Sequence, residues 1–176
     1  TSDPKVRAAV GTLSGIVGIL CNFFLFLGKV IIGTLSGSVS ITADAMNNLS
    51  DAASSIVTLV GFKLAEQPAD AEHPYGHARF EYLSGLVVSA MIVIIGFELG
   101  KILSPVPVVF SAPLAAVLVL SIAVKLWLCL FNRTLGRKIN STTLLATSED
   151  SRNDIITTAA VLLAAVIEAV SGLSID

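Results

Sequence analysis

Long apolar runs dominate this sequence and limit what it can fold into. Of its 176 residues, 54% are hydrophobic and only 14% are charged, and the mean hydropathy is +0.85. An average soluble domain has about 25% charged residues, so this chain is far more apolar than that class. A helix of about 20 apolar residues crosses the hydrocarbon core of a bilayer. The composition therefore predicts an all-α, polytopic membrane helix bundle.

Five apolar runs are long enough, and each predicts one membrane helix. The predicted helices cover about Ala8 to Gly33, Ser38 to Ala65, Phe80 to Leu103, Ala112 to Phe131 and Ser141 to Val170. A long polar segment is expected between helices two and three, and a short connector with Pro105 and Pro107 between helices three and four. A basic loop is expected before helix five, with Arg133, Arg137 and Lys138.

Two pairs of oxygen-bearing side chains lie inside these apolar runs. Helix two carries Asn47 and Asp51, and helix five carries Asp150 and Asp154, so each pair is four residues apart. Residues four apart lie on one helix face, about one turn from each other. An ionised carboxylate is costly in a membrane, which makes a functional role the default hypothesis. The spacing predicts that two facing helices direct four oxygens at one metal ion.

The donor atoms narrow the choice of metal. An oxygen-only set suits Mn²⁺ and similar ions, whereas Zn²⁺ sites usually include histidine or cysteine. The alternative is structural, because Asn and protonated Asp also join helices by hydrogen bonds. The equal spacing on two helices favours a metal site. Without a cation the buried carboxylates favour their protonated forms, so metal and protons compete, and alternating access would exchange one for the other.

Other residues in the apolar runs have less specific interpretations. Asp44 lies seven residues before Asp51 and belongs either to the ion path or to the outer end of helix two. Snorkelling or pairing between helices, rather than transport, is expected for Lys29, Glu98, Lys125 and Glu168. A close-packing face on helix one is predicted by Gly11, Gly15 and Gly18.

The polar connection between helices two and three contains both histidines of the chain. Asp70, His73 and His77 lie within eight residues, and Glu72 is adjacent. Two imidazoles and a carboxylate can hold Zn²⁺ or a similar ion and leave one position open. Alternatively, the histidines cap helices or bind the loop backbone. Their concentration in one loop slightly favours a metal.

The charges of the connections predict an orientation. If the connections alternate across the membrane, one side collects Lys5, Arg7, Lys63, Arg79, Arg133, Arg137 and Lys138, and the other has only Lys101. The basic side is predicted to be cytoplasmic, with the N-terminus on it, in the cell inner (plasma) membrane. The net charge of −2 and the dispersed basic residues give no reason to expect nucleic acid. Nothing resembles a catalytic constellation, so the chain is not expected to be an enzyme.

Three separated motifs resemble those of the cation diffusion facilitator family. They are Ala43 to Asp51, His73 to His77 with the following Arg79 and Glu81, and Glu149 to Asp154. The resemblance extends over all five predicted helices. It implies a homodimeric transporter in the lipid bilayer that exports divalent metal ions, with protons as the counter-ion and no prosthetic group.

The same resemblance assigns residues. It implies a transport site at Asn47, Asp51, Asp150 and Asp154, and a loop site at Asp70, His73 and His77. In zinc-transporting members a histidine usually stands where this chain has Asp150, and many members have aspartate or histidine where it has Asn47. This combination is similar to the bacterial manganese-efflux branch. Export of Zn²⁺ or Fe²⁺ is the alternative, and a non-transporting metal sensor or scaffold is the alternative of another class.

The family has six helices and usually a cytoplasmic C-terminal metal-binding domain. Residues 1–176 are therefore expected to form one cation-efflux transmembrane domain that lacks the sixth helix and that C-terminal domain. Arg79 matches a basic position that in relatives pairs with an acidic residue near the centre of the dimer.

Overall fold

A computed structural model of the chain describes residues 3–36, 39–70, 73–102 and 112–171. It contains five helices: α1 (Pro4–Ser36), α2 (Val39–Ala65), α3 (Arg79–Ile102), α4 (Ala112–Ile139) and α5 (Thr142–Ser171). The described residues include no strand. The predicted all-α fold and its five helices are confirmed. Leu103, the connector with Pro105 and Pro107, and the side chains of Lys101, Glu98 and Glu168 lie outside what the structure describes.

The predicted basic loop before helix five is wrong, because α4 continues through it. The last two turns of α4 carry Arg133, Arg137 and Lys138. The helix ends at Ile139, the next residue Asn140 adopts a left-handed conformation with φ 53°, and the Ser141 amide donates to the Gly136 carbonyl at 2.9 Å. Ser141 Oγ then accepts from the Leu144 amide at 3.4 Å, as in an N-cap. A single turn therefore joins α4 and α5.

The bundle is apolar outside and polar inside. Large side chains that are more than 60% exposed include Phe24, Leu35, Leu86 and Leu163. In the interior, Ser14 donates to Asn132 at 2.5 Å between α1 and α4, and both residues are buried. Water disfavours an apolar exterior of this size, whereas hydrocarbon solvates it and leaves polar groups to join the helices. By length and composition, Lys5–Leu35 and Ala112–Ile139 are candidate membrane spans.

Helices α1 and α2 pack closely along the predicted glycine face. A Cβ atom at Gly15 would lie 2.8 Å from Leu59 Cβ, and one at Gly18 would lie 2.6 Å from Ser55 Oγ. Gly11 packs in the same way against Phe62. Small residues allow two backbones to approach this closely. The face is confirmed, and α2 is its partner.

Two apolar clusters lie at opposite ends of the interior. One contains Ile41, Leu114 and Leu118, with Val161 and Leu162 packed against it, and the other contains Phe62, Ile139 and Leu144. Helices α2 and α4 therefore run parallel, and α5 runs opposite to both. Asp51 lies ten residues after Ile41 and eleven before Phe62. At 1.5 Å per residue it is about 15 Å along the helix from either cluster.

Candidate metal centre

Three carboxylates meet in the middle of the bundle. Asp51 projects from α2, and Asp150 and Asp154 project from α5, with one oxygen of each within 4.8 Å of the others. Asp51 is buried, and the other two are half-buried. Divalent ions bind oxygen at about 2.0 to 2.6 Å, so oxygens at this spacing can share one ion. The antiparallel packing of α2 and α5 brings together the acidic residues that the spacing singled out.

Asn47 joins this group through Asp154. Its Nδ2 atom donates to Asp154 Oδ1 at 3.0 Å. Asn47 therefore contacts the carboxylate group, one turn before Asp51, but the amide nitrogen faces the aspartate. Rotation of the amide about its final bond would direct its oxygen there instead.

A lysine lies between the carboxylates, and sequence reasoning did not find this role. Lys125 of α4 places its Nζ atom 2.5 Å from Asp51 Oδ2 and 2.6 Å from Asp154 Oδ2. The expectation that Lys125 pairs between helices is correct, but its partners are the predicted site residues. Its position was the available signal, because Lys125 lies in the middle of an apolar span, far from an end to which it could snorkel.

The charges of the carboxylates and the lysine do not balance. Three ionised carboxylates and one ammonium group carry a net charge of −2, and Lys125 is only 3% exposed. Buried charges are costly unless they are paired. One lysine neutralises one carboxylate, which leaves the equivalent of one divalent cation to be supplied. We refer to Asp51, Asp150, Asp154 and Lys125 as the central cluster.

A second ion pair connects α1 and α2 away from the central cluster. Lys29 Nζ lies 2.7 Å from Asp44 Oδ2, and Lys29 is 2% exposed. Lys29 therefore pairs between helices, as expected. Neither sequence interpretation of Asp44 anticipated this partner.

The loop cluster of Asp70, His73 and His77 also forms. One ligand atom of each residue lies within 4.8 Å of the others. Asp70 Oδ1 is 3.3 Å from His73 Nδ1, and Asp70 Oδ2 is 3.5 Å from His77 Nε2. His77 Nδ1 lies 3.1 Å from the Pro68 carbonyl, which leaves Nε2 directed toward the cluster. A backbone carbonyl is one of the usual partners that orient a metal-binding histidine.

The loop also fixes the carboxylate of Asp70. The backbone amide of His73 donates to Asp70 Oδ1 at 2.6 Å. This hydrogen bond, and then the side chain of His73, lower the pKa of Asp70 below its ordinary value. The carboxylate is therefore ionised at neutral pH and able to act as a ligand.

One end of the bundle is held by Arg7, whose contacts the sequence did not predict. Arg7 Nη2 lies 2.8 Å and 2.7 Å from the two carboxylate oxygens of Glu81, and Arg7 Nη1 donates to the Ile139 carbonyl. Thr143 Oγ1 donates to the Glu81 carbonyl at 2.9 Å. The starts of α1, α3 and α5 and the end of α4 therefore meet. Arg79, the basic residue that the resemblance singled out, is exposed.

Comparison with known proteins agrees with this architecture. The chain is 34% identical to an uncharacterized transporter from Methanocaldococcus jannaschii over 153 residues, which are 84% of this chain and 54% of that protein. It is 32% identical to the manganese efflux system protein MneS of Bacillus subtilis over 151 residues, which are 82% of this chain and 51% of MneS. It is 26% identical to MneP, a second manganese efflux system protein of that organism, over 89% of this chain and 54% of MneP.

These proportions mean that the chain spans about half the length of the curated relatives it matches. The family description "Cation efflux transmembrane domain" matches residues 15–175. That range includes α2 to α5 and both the central and the loop clusters. The chain belongs to the cation efflux family of membrane transporters, and this is the family that its three motifs resemble.

Proposed function

We propose that this protein exports Mn²⁺ from the cytoplasm in exchange for protons, through alternating access to the central cluster. The observation that carries the proposal is the convergence of Asp51, Asp150 and Asp154 halfway through the bundle. Membership of the cation efflux family supports metal efflux in general. The metal ion is the transported substrate, and its ligands in this proposal are the three carboxylates with Asn47.

The choice of Mn²⁺ rests on the ligand chemistry. The proposed ligands are the three carboxylates of the central cluster and the amide of Asn47, and these four residues include no imidazole or thiolate. Oxygen ligands suit Mn²⁺, whereas imidazole and thiolate select zinc. The similarity to MneS and MneP supports the same ion. Zn²⁺ or Fe²⁺ export is the alternative, because most ligand sets bind both more tightly than Mn²⁺.

The charge of the central cluster supports the proposed proton exchange. When the divalent ion leaves, the excess negative charge must be neutralised in a poorly hydrated environment. Protons on the carboxylates neutralise it, and a metal ion arriving from the other side displaces them. Inward movement of protons would then drive outward movement of metal.

The proposed topology places the N-terminus in the cytoplasm and all five helices across the cell membrane. Support comes from the end of the bundle at which Arg7, Glu81 and Ile139 meet, because the exposed Arg133, Arg137 and Lys138 lie near the same end. A basic end of this kind faces the cytoplasm. A homodimer is part of the proposal, as the family resemblance implies.

The loop cluster is proposed to be a second divalent-cation site at this cytoplasmic end. Its two histidines suit Zn²⁺ or a similar ion. It lies outside the interior of the bundle, with Asp70 and His73 exposed. We propose that it does not lie on the transport path.

Transport into sealed vesicles tests the proposal. The protein is reconstituted in liposomes, and Mn²⁺ and proton movements are followed with dyes while either gradient is imposed. Manganese flux should require the protein, and an imposed manganese gradient should drive protons in the opposite direction. A proton flux indifferent to the metal gradient would remove the exchange mechanism. Metal binding without any flux would favour the sensor or scaffold alternative.

A further inference from the structure

We propose that Lys125 is a displaceable internal cation that holds the transport site closed to monovalent ions and leaves when a divalent ion binds. This inference rests on the proposed function, because it describes how the same site selects its substrate. Among the four residues of the central cluster, Lys125 is the only cation, and it bridges one carboxylate from each of the two ligand-bearing helices.

The contacts of Lys125 coincide with those that a metal ion needs. Its Nζ atom lies 2.5 Å from Asp51 and 2.6 Å from Asp154. Oxygens that bind an ammonium group at these distances cannot bind a metal ion between them at the same time, because the nitrogen occupies the shared position. Metal binding between Asp51 Oδ2 and Asp154 Oδ2 therefore requires the ammonium group to move.

Charge decides which ions can bring about that movement. Na⁺ or K⁺ would replace one positive charge with another and gain no electrostatic advantage over the ammonium group. A divalent ion adds one unit of positive charge to a cluster with excess negative charge, so it is favoured in the exchange. The lysine therefore disfavours monovalent ions even where they are far more concentrated than the transported metal.

The proposed acceptor for the displaced ammonium group lies on α1. Asn22 of α1 is 5% exposed, and its Oδ1 atom has no hydrogen-bond partner among the described residues. Gly18 of α1 packs against Ser55 of α2, and the two helices are antiparallel. Asn22, one turn after Gly18, is therefore level with Asp51, one turn before Ser55. Ser14 of α1 donates to Asn132 of α4. Asn22 lies two turns after Ser14 and Lys125 lies two turns before Asn132, so Asn22 is also level with Lys125.

A second acceptor lies on the helix that carries the lysine. Ser121 is one turn before Lys125 and is 1% exposed, and its Oγ atom has no hydrogen-bond partner within the described part of the chain. Buried polar atoms are normally paired, so unpartnered ones require an explanation. Both oxygens are explained if they receive the ammonium group after a metal ion takes its place.

The test measures Mn²⁺ binding to the protein in lipid nanodiscs by titration calorimetry, with and without an excess of K⁺. In Lys125→Met, which keeps an unbranched side chain one atom shorter but removes its charge, Mn²⁺ should bind at least about tenfold more tightly than in the parent. The affinity of this variant should fall when K⁺ is added, whereas the parent should be insensitive to K⁺.

Two further variants make the result specific. Lys125→Arg keeps the charge and can hold both carboxylates with its planar fork, so Mn²⁺ should bind at least about tenfold more weakly. Lys29→Met removes the other buried lysine described within the bundle, which pairs with Asp44, and should leave Mn²⁺ binding unchanged. Helical content from circular dichroism and elution volume verify that each variant is folded.

Each outcome decides between explanations. Equal or weaker binding in a folded Lys125→Met variant, or parent-like binding in Lys125→Arg, would overturn the displacement proposal and leave the transport proposal standing. If Lys125→Met does not fold, the proposal is tested by Lys125→Arg and by the K⁺ dependence of Mn²⁺ binding in the parent. Competition between K⁺ and Mn²⁺ in the parent would overturn the proposal. Failure of the parent to bind Mn²⁺ would overturn the proposed function and this inference together.

Discussion

The central cluster and the loop cluster each gather three potential metal ligands within 4.8 Å, yet they differ in burial, ligand type and charge. The central cluster is enclosed by helices, uses oxygen alone and contains a competing lysine. The loop cluster uses two imidazoles and a carboxylate, and two of its three residues are exposed. The comparison teaches that ligand spacing alone does not distinguish the two clusters, and we propose that burial and counter-charge decide at which of them bound metal is exchanged.

Removing one ligand from each cluster tests most severely whether the two clusters differ in function. Asp51→Asn should lower Mn²⁺ flux in vesicles by about 100-fold, because the cluster loses one of its carboxylates and Lys125 loses one of its two partners. His77→Ala should change the flux by less than about threefold, since its cluster is proposed to lie off the path.

The loss of charge pairing in Asp51→Asn needs its own control. The double variant Asp51→Asn with Lys125→Met restores the net charge of −2 that the parent cluster carries and should recover folding but not transport. Equal losses of Mn²⁺ flux in the Asp51→Asn and His77→Ala variants would contradict the proposal that only the central cluster lies on the transport path.

The difference in ligand chemistry can be tested by adding an imidazole to the central cluster. Asp150→His should shift the ratio of Zn²⁺ to Mn²⁺ flux toward zinc by at least about tenfold. Glu149→His is the matched control, because Glu149 is an exposed neighbour that pairs with Arg152 and should leave the ratio unchanged. An unchanged preference in Asp150→His would show that the ligand type does not set selectivity.

Metal binding should depend on the packing of α1 against α2 at the central cluster but not at the loop cluster. Gly18→Val places a side chain against Ser55 and should destabilise the bundle by about 1 to 3 kcal/mol, with a several-fold loss of Mn²⁺ affinity. Gly28→Val is the control, because a Cβ atom at Gly28 meets nothing within 4 Å. Thermal unfolding and metal titration measure both effects. Zn²⁺ binding at the loop should be the same in both variants, and a parallel loss there would mean that the clusters are not independent.

The smallest expected effect concerns the carboxylate of the loop. The folded loop lowers the pKa of Asp70, so its ionised form contributes stability above the ordinary aspartate pKa. That contribution is lost as the pH falls through the lowered pKa. Asp70→Ala should speed hydrogen exchange of the His73 amide by about two- to fivefold at neutral pH. At a pH below the lowered pKa of Asp70, the substitution should have no effect on that exchange.

Glu66→Ala is the control for that measurement, because it removes an exposed acidic residue of the same loop and should not affect the His73 amide. A difference between Asp70→Ala and the parent that persists below the lowered pKa would contradict the assigned cause.

The helices and the acidic residues of the site were predictable because each depends on local pattern. Apolar run length fixes a membrane helix, and the four-residue spacing of Asp150 and Asp154 puts both on one face. The glycine face of α1 was readable for the same reason. These features need no knowledge of which helices are neighbours.

The features that could not be predicted from the sequence depend on which helices are neighbours in the folded bundle or on how a helix ends. Lys125 is a single charge on α4, and only the packing of α4 against α1 and α5 shows that it lies between Asp51 and Asp154. Arg7 and Glu81 are 74 residues apart, and nothing in either local pattern pairs them. The continuation of α4 through three basic residues was missed because charge suggested a loop, although basic side chains stabilise a helix C-terminus.

Anomalous X-ray scattering from protein loaded with Mn²⁺ tests the central claim most directly. The account predicts a manganese peak within bonding distance of oxygens of Asp51, Asp150 and Asp154, with the Lys125 ammonium group moved away from Asp51 and Asp154. A map with manganese only at the loop, and Lys125 still bridging the two carboxylates, would contradict it.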